Sequence, residues 1–354
     1  MEPIRITKAT TLKKRPKDSD LGFGKVFTDH VFVMDFQEEK GWYDPRVEPY
    51  APFSLDPAAA VLHYAQSVFD GLKAFRGRDG RVRLFRPQKH VERMNNSARR
   101  MCIPPLDPDL ALKSLVTLVG IDRDWVPASV GHSLYVRPTI IASEPFLGVR
   151  PSHSYIYFVI LSPVGAYYPE GMNPVKILVV DKYVRAVEGG VGAAKTAGNY
   201  AASLLAAEEA KRAGYTQVLW LDGVHRKYID EVGTMNIMVK IGDEIITPPL
   251  TGAILPGVTR DSALTLMREW GLRVSERQVS IDEIWEAAHR GTIEEVWGTG
   301  TAAVISPVGE LAYKGERIVI HGGRIGELTQ RLYDAIVAIQ YATAPDTHGW
   351  TVEV

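Results

Sequence analysis

One lysine, Lys195, sits in the run Gly189-Gly190-Val191-Gly192-Ala193-Ala194-Lys195-Thr196-Ala197-Gly198-Asn199-Tyr200, among small residues and ahead of a helical stretch. A lysine loop on a surface is normally polar. Small neighbours instead let something bulky lie against the backbone. Three chemistries compete: a glycine-rich turn with a solvated lysine, a phosphate loop of the G-x-x-x-x-G-K-[ST] type, and a lysine that forms a Schiff base with a carbonyl cofactor. The phosphate loop fails in detail. Ala194 stands where that motif needs glycine, and a Cβ in a left-handed conformation costs roughly 1–2 kcal/mol. The motif must also leave a strand directly, whereas the candidate strand 176–180 is separated from Gly189 by Asp181, Lys182, Arg185 and Glu188.

A Schiff-base lysine attached to pyridoxal 5′-phosphate has stated needs. Its amine must be deprotonated, which burial beside other positive charge provides. The pyridine nitrogen needs a carboxylate, the phenolic oxygen a donor, and the phosphate needs backbone N–H groups, hydroxyls and a cation. Candidates exist for each. Glu231 is an acid in an otherwise apolar approach, read either as a strand-edge carboxylate or as the ring partner. Leu255-Pro256-Gly257-Val258-Thr259-Arg260 offers the N–H groups of a helix start after a turn. Gly298-Thr299-Gly300-Thr301-Ala302 reads as a second glycine-rich loop carrying two hydroxyls. Each is weak alone; together, after one lysine, they converge on that cofactor.

The elements that must position these groups read as an alternation of strands and helices. Residues 23–35 read as a strand rich in β-branched and aromatic side chains, 41–57 as proline-rich loop, and 58–69 as a helix or short apolar bend. Residues 72–75 and 82–85 flank Gly77-Arg78-Asp79-Gly80, a hairpin signal. Pro87 opens a helix over 88–101, with Val91, Met94 and Ala98 on one stripe and Arg93 beside it; 109–119 reads as another helix. Residues 134–142 and 155–161 read as buried strands. The segment 163–171 is the best linker candidate. Beyond it come a helix over 199–213 with Gly214 at its cap, a strand at 217–221, a hairpin of 234–240 with 244–247, and helices over 258–270, 281–290 and 324–341. Short strands at 295–297 and 302–305 bracket the threonine-glycine segment. No internal repeat or low-complexity stretch interrupts this order.

The 354 residues suffice for two domains. The formal net charge of −1 gives no global field favouring nucleic acid or an anionic membrane. The single cysteine, Cys102, excludes an internal disulfide and a cysteine metal cluster and suits a reducing compartment, so a cytoplasmic protein is expected. No secretory signal is expected from the first residues, which lack an apolar core. No apolar run is long enough to span a bilayer. The basic run Lys13, Lys14, Arg15, Lys17 is expected to be a solvated arm.

Taken together, these stretches resemble the branched-chain aminotransferases, pyridoxal-phosphate enzymes of fold type IV. The resemblance rests on Gly24-Lys25-Val26-Phe27-Thr28-Asp29-His30, Leu62-His63-Tyr64, Phe69-Asp70-Gly71-Leu72-Lys73-Ala74-Phe75, Leu84-Phe85-Arg86-Pro87, Tyr135-Val136-Arg137-Pro138, 189–200, 231–236, 255–260 and 298–302, in order from residue 23 to the C-terminus. It implies an α+β fold: an arm over residues 1–22, a smaller α/β domain over 23–168, a linker over 169–175, and a larger domain with a barrel-like mixed sheet over 176–354, the active site lying between the domains.

It further implies amino transfer between L-leucine, L-isoleucine or L-valine and 2-oxoglutarate by a ping-pong course in a homodimer. Lys195 would be the Schiff-base and proton-transfer residue. Tyr200 would bond the phenolic oxygen, Glu231 the ring nitrogen, and Thr234 would support the ring. Arg93, the N–H groups of Val258 and Thr259, and Thr301 would hold the phosphate. Phe23, Phe69, Tyr135 and Tyr167 would wall the side-chain pocket, with Tyr64, Leu147 and Val149 coming from the partner subunit. Arg137 would take the distal carboxylate of glutamate, and backbone N–H groups of Thr301 and Ala302 the α-carboxylate. Where animal relatives carry Cys-x-x-Cys, this chain has Ala303 and Ser306, so a thiol switch there is not available. A D-amino-acid aminotransferase and an aminodeoxychorismate lyase share the implied fold. The Tyr135–Pro138 stretch and the chain length argue against both. The rival from another class is an ATP-binding protein using residues 189–196.

Overall fold

The computed structural model describes residues 2–165 and 172–354; the linker candidate and Tyr167 fall largely or wholly outside them. The chain forms two compact units: residues 1–167 with 194–197 and 338–354, and residues 168–193 with 198–337. The division is therefore not a single cut in the sequence. The short segment that carries Lys195 belongs by its contacts to the first unit.

The first unit is a mixed sheet backed by helices. Its elements are β1 (Arg5–Ile6), β2 (His30–Gln37), β3 (Gly41–Pro49), α1 (Ala60–Tyr64), β4 (Ser67–Phe69), β5 (Leu72–Arg76), β6 (Val82–Phe85), α2 (Pro87–Arg100), α3 (Pro108–Ile121), β7 (Ser133–Ala142) and β8 (Ser154–Val164). The strand order is β1-β3-β2-β8-β7-β5-β6, and the C-terminal strand Thr351–Glu353 completes the far edge against β6. Strand alternation sorts the side chains. Leu72, Ala74, Leu134 and Val136 face the core with Val91, Met94 and Ala98 of α2 and Leu115 and Leu118 of α3. The intervening residues Tyr135 and Arg137 of β7, with Lys73 paired opposite Tyr135, point to the other face.

Three readings of this half change. The strand expected from residue 23 begins only at His30, after Gly24 at φ +70°. The stretch 41–57, expected as loop, holds β3, which pairs along β2 from Phe36 with Trp42 to His30 with Pro49. Pro45 is tolerated because the register shifts between Val33 and Asp35, opposite Asp44 at φ +51°, and Pro49 is the last residue of the strand. The basic arm is not simply solvated. The Lys13 N–H donates to Asp29 Oδ1 at 2.8 Å, and its ammonium donates to the Thr28 carbonyl at 2.6 Å.

The second unit contains β9 (Val175–Val180), α4 (Ala197–Arg212), β10 (Gln217–Leu221), β11 (Ile229–Val232), β12 (Met235–Ile241), β13 (Glu244–Thr247), α5 (Val258–Glu269), β14 (Arg273–Glu276), α6 (Ile281–His289), β15 (Ile293–Gly300), β16 (Val304–Tyr313), β17 (Glu316–Val319) and α7 (Glu327–Gln340). The order β11-β10-β9-β16-β15-β12 closes on itself through the β11–β12 pairing, giving a six-stranded barrel-like sheet. The expected glycine-rich loop at 298–302 is a correction. Gly298 and Gly300 lie in β15, paired with Ser306 and Val304 of β16, and only 301–303 turn. The glycines serve packing. A Cβ on Gly298 would stand 2.7 Å from Met235 Cε and 2.9 Å from Val232 Cγ1.

Candidate active site

In the first unit, the Lys195 segment runs beside β4 and α2. The Phe69 N–H donates to the Lys195 carbonyl at 3.0 Å, Thr196 pairs with Val68, and the Thr196 hydroxyl donates to the Ser67 carbonyl at 2.7 Å. The Lys195 N–H in turn donates to Ser97 Oγ at 2.9 Å. Ser97 is one turn beyond Arg93 on α2 and donates to the Arg93 carbonyl at 3.0 Å. The main chain on both sides of Lys195 is thus tied down.

The Lys195 Nζ lies 5.0 Å from the centre of the Phe69 ring. Arg137 stacks over Phe69 at 4.6 Å and over Tyr135 at 5.2 Å, and donates to the Tyr135 hydroxyl at 3.1 Å. Phe23 meets Tyr135 edge-on at 5.0 Å. Gly71 makes room for that tyrosine, since a Cβ there would overlap its hydroxyl. Burial first, and then the Arg93 charge, bring the Lys195 ammonium down to about 8, with Asp70 pulling the other way.

Arg93 is 7 % exposed and is held by Asp70. Its Nε donates to Asp70 Oδ2 at 2.9 Å and its Nη2 to Asp70 Oδ1 at 2.7 Å. The same Oδ1 meets His90 Nδ1 at 2.7 Å and accepts the Gly71 N–H at 2.7 Å. Burial opposes ionisation of Asp70, but the Arg93 charge and then His90 overcome it and hold the carboxyl well below the usual range. Burial, opposed by Asp70, lowers the His90 imidazole. The first unit therefore gathers Phe23, Phe69, Arg93, Tyr135, Arg137 and Lys195.

Tyr64, Leu147 and Val149 form a separate group. The Tyr64 hydroxyl donates to the Leu147 carbonyl. All three side chains are exposed, Val149 at 87 %.

The second unit carries the remaining candidates. Glu231, on β11, is buried. Its Oε1 accepts the Leu255 N–H at 2.8 Å, and its Oε2 lies 3.2 Å from Arg185 Nε. Arg185 also donates to the Ala253 carbonyl. Asn236 donates to the Leu255 carbonyl at 2.9 Å, and a Cβ on Gly257 would fall 2.0 Å from Asn236 Oδ1. The 253–257 loop is thereby clamped, and Gly257 at the N-cap places no side chain over the first turn of α5, where Val258 and Thr259 begin the helix. Tyr200 lies in the opening turns of α4, and the exposed Thr234 follows Gly233 at the β11–β12 turn. Thr301 and Ala302 form the partly exposed β15–β16 turn. Beside Glu231, burial and then the Glu231 charge push the Asp230 carboxyl up to about 7.

Sequence reasoning missed Asp70, His90, Ser97, Arg185 and Asn236 as working parts. His90, Arg93 and Ser97 recur at helical spacing, which is the signal that could have joined them. Nothing local marks Asp70 as their partner.

The chain belongs to the class IV aminotransferases, whose family model matches residues 67–311. Its relatives narrow this to the branched-chain-amino-acid aminotransferases. Branched-chain-amino-acid aminotransferase 2 of Bacillus subtilis is 56% identical, covering 100% of this chain and 97% of that protein. Branched-chain-amino-acid transaminase 1 of the same organism is 53% identical, covering 99% of both. Among solved structures, the Escherichia coli branched-chain amino acid aminotransferase superposes with a TM-score of 0.77 at 27% identity, over 91% of this chain and 98% of that one. A second solved branched-chain amino acid aminotransferase, holding pyridoxamine 5′-phosphate, does so at 0.74 and 25%, over 90% and 97%. The fold is that of these fold type IV enzymes, and the expected transaminase of branched-chain amino acids is borne out.

Proposed function

We propose that this transaminase binds pyridoxal 5′-phosphate and moves an amino group reversibly between L-leucine, L-isoleucine or L-valine and 2-oxoglutarate, in two successive half-reactions. The observation that carries the reading is the half-buried Lys195, whose amine lies 5.0 Å from the centre of the Phe69 ring and is lowered to about 8. The residues present fit the cofactor. A half-buried amine faces an aromatic ring, the first turn of α5 has no cap side chain, and the buried Thr299 Oγ1 and Arg137 Nε make no hydrogen bond among the described residues. When bound, the cofactor supplies a carbonyl carbon for amines and a ring that accepts the electron pair left when the substrate Cα–H bond breaks.

Lys195 would then hold the cofactor and, once displaced by substrate, carry the Cα proton on its Nζ. Glu231 would face the ring nitrogen, Tyr200 the phenolic oxygen, and Thr234 the ring. Arg93, the Val258 and Thr259 N–H groups and Thr301 would take the phosphate. Phe23, Phe69, Tyr135 and Tyr167 would exclude water around an apolar side chain, with Tyr64, Leu147 and Val149 lent by a second copy of the chain. Arg137 would pair with the distal carboxylate of glutamate, and Thr301 and Ala302 with the α-carboxylate. A lone cysteine, Cys102, supports a cytoplasmic setting.

The test is purified wild-type protein against Lys195→Ala, assayed with L-leucine and 2-oxoglutarate and, as a control, with D-alanine. Wild-type protein should show the visible band of the bound cofactor and transfer from L-leucine. Lys195→Ala should lose both, with a fall in kcat of at least about a thousandfold, in line with loss of a covalent and general-acid–base group. Full activity in the variant, or a preference for D-alanine, would overturn the reading.

A further inference from the structure

The buried trio Asp70, His90 and Arg93 is not used in the chemistry above beyond the charge of Arg93. We propose that Asp70, backed by His90, is a positioning residue that fixes which edge of the Arg93 guanidinium is offered to the cofactor phosphate. This rests on the reading of Arg93 as a phosphate ligand.

A guanidinium has two edges that can each make a paired contact: Nε with one terminal nitrogen, and the two terminal nitrogens together. In this chain the Nε–Nη2 edge is committed to the two oxygens of Asp70. Nη2 also lies 3.3 Å from His90 Nδ1, so an anion meets the guanidinium through the donors that Asp70 does not engage.

The acid cannot swing away. Asp70 has no exposed surface. Its own N–H donates to the Pro138 carbonyl at 2.9 Å, and its Oδ1 also accepts from Gly71 and meets His90. An ionised Asp70 accepts the Nδ1–H of a neutral His90, so imidazole and guanidinium converge on one carboxylate and hold a single geometry. The same α2 turn fixes Lys195 through Ser97. The Lys195 main chain and the Arg93 cation are thereby registered to each other along one helix face, as a cofactor carrying its aldehyde and its phosphate-bearing arm on neighbouring ring carbons would require.

Without Asp70 the arginine would keep its charge but lose the paired contact that sets the plane of its guanidinium. The loss falls on the phosphate and spares the aldehyde, which Lys195 captures on its own.

The experiment compares the affinity of cofactor-free enzyme for pyridoxal 5′-phosphate with that for pyridoxal, which lacks the phosphate, both followed by the absorbance of the cofactor on Lys195. Asp70→Asn should weaken pyridoxal 5′-phosphate at least about tenfold and change pyridoxal less than about threefold. Inorganic phosphate should compete correspondingly less well. Asp70→Glu, which retains the carboxylate, should recover most of the phosphate preference. Arg93→Ala serves as the separate control. If it keeps the wild-type preference for the phosphorylated cofactor, the Arg93 reading fails. If it loses that preference while Asp70→Asn retains it, the positioning role fails alone. Should Asp70→Asn not fold, His90→Gln decides: a preference lowered about threefold supports the role, and an unchanged one overturns it.

Discussion

The lowered basicity of Lys195 makes a kinetic forecast that a solvated lysine would not. The nucleophile is the neutral amine, whose share rises about tenfold for each pH unit below the pKa. With that pKa near 8, capture of pyridoxal 5′-phosphate by the apoenzyme should accelerate about tenfold from pH 6 to 7 and level off just above pH 8. Stopped-flow absorbance measures it. A rate still climbing at pH 10, as for an ordinary lysine, would show that neither burial nor Arg93 acts on the amine. The sign for stability follows: between about pH 8 and 10.4 the unfolded chain holds a proton that the folded chain has released, so stability rises with pH there. At this scale the sequence was informative about residues in unusual local surroundings and silent about those behind them. Lys195 and Glu231 stand in unusual local surroundings. Asp70 acts on an arginine 23 positions away, through a contact that no local pattern records.

Among the elements, helices were legible because amphipathic spacing and caps are written locally: α2 opens at Pro87, and α5, α6 and α7 fall close to their expected bounds. β3 and the Gly298–Gly300 end of β15 were not, because proline and glycine read as breakers. Here a bulge accommodates Pro45, and a crowded barrel wall demands Gly298. One long-range cap was equally hidden. Glu295, buried on β15, accepts the N–H groups of Leu328 and Thr329 at 3.0 and 2.8 Å and the Thr329 hydroxyl at 2.6 Å, closing the first turn of α7. Glu295→Ala strands these donors and should cost on the order of 1–3 kcal/mol, read as a lower urea midpoint with an unchanged slope. A midpoint equal to wild type would mean that water replaces the carboxylate without loss.

At the level of the whole molecule, the exposed apolar group of Leu62, Tyr64, Phe146, Leu147 and Val149 has the character of a surface made to be covered. A homodimer in which Tyr64, Leu147 and Val149 serve the neighbouring subunit's pocket predicts that Leu147→Asp gives a monomer by sedimentation, with kcat/KM for L-leucine reduced at least about tenfold. A monomeric variant of full activity would remove those residues from the pocket, and a wild-type monomer would remove the dimer. The placing of the chain's ends was the least legible feature. The strand Thr351–Glu353 is too short to show periodicity, yet it pairs with β6, and 194–197 join the unit formed by the first half.

That return path has a consequence for biosynthesis. A nascent chain emerging N-terminus first can form most of the first sheet early. Until residue 351 leaves the ribosome, however, β6 remains an open edge able to recruit another strand. Until 194–197 are made, β4 lacks its Thr196 partner. Lys195 thus enters a scaffold assembled before it, and residues 351–353 seal that scaffold once the barrel has been translated.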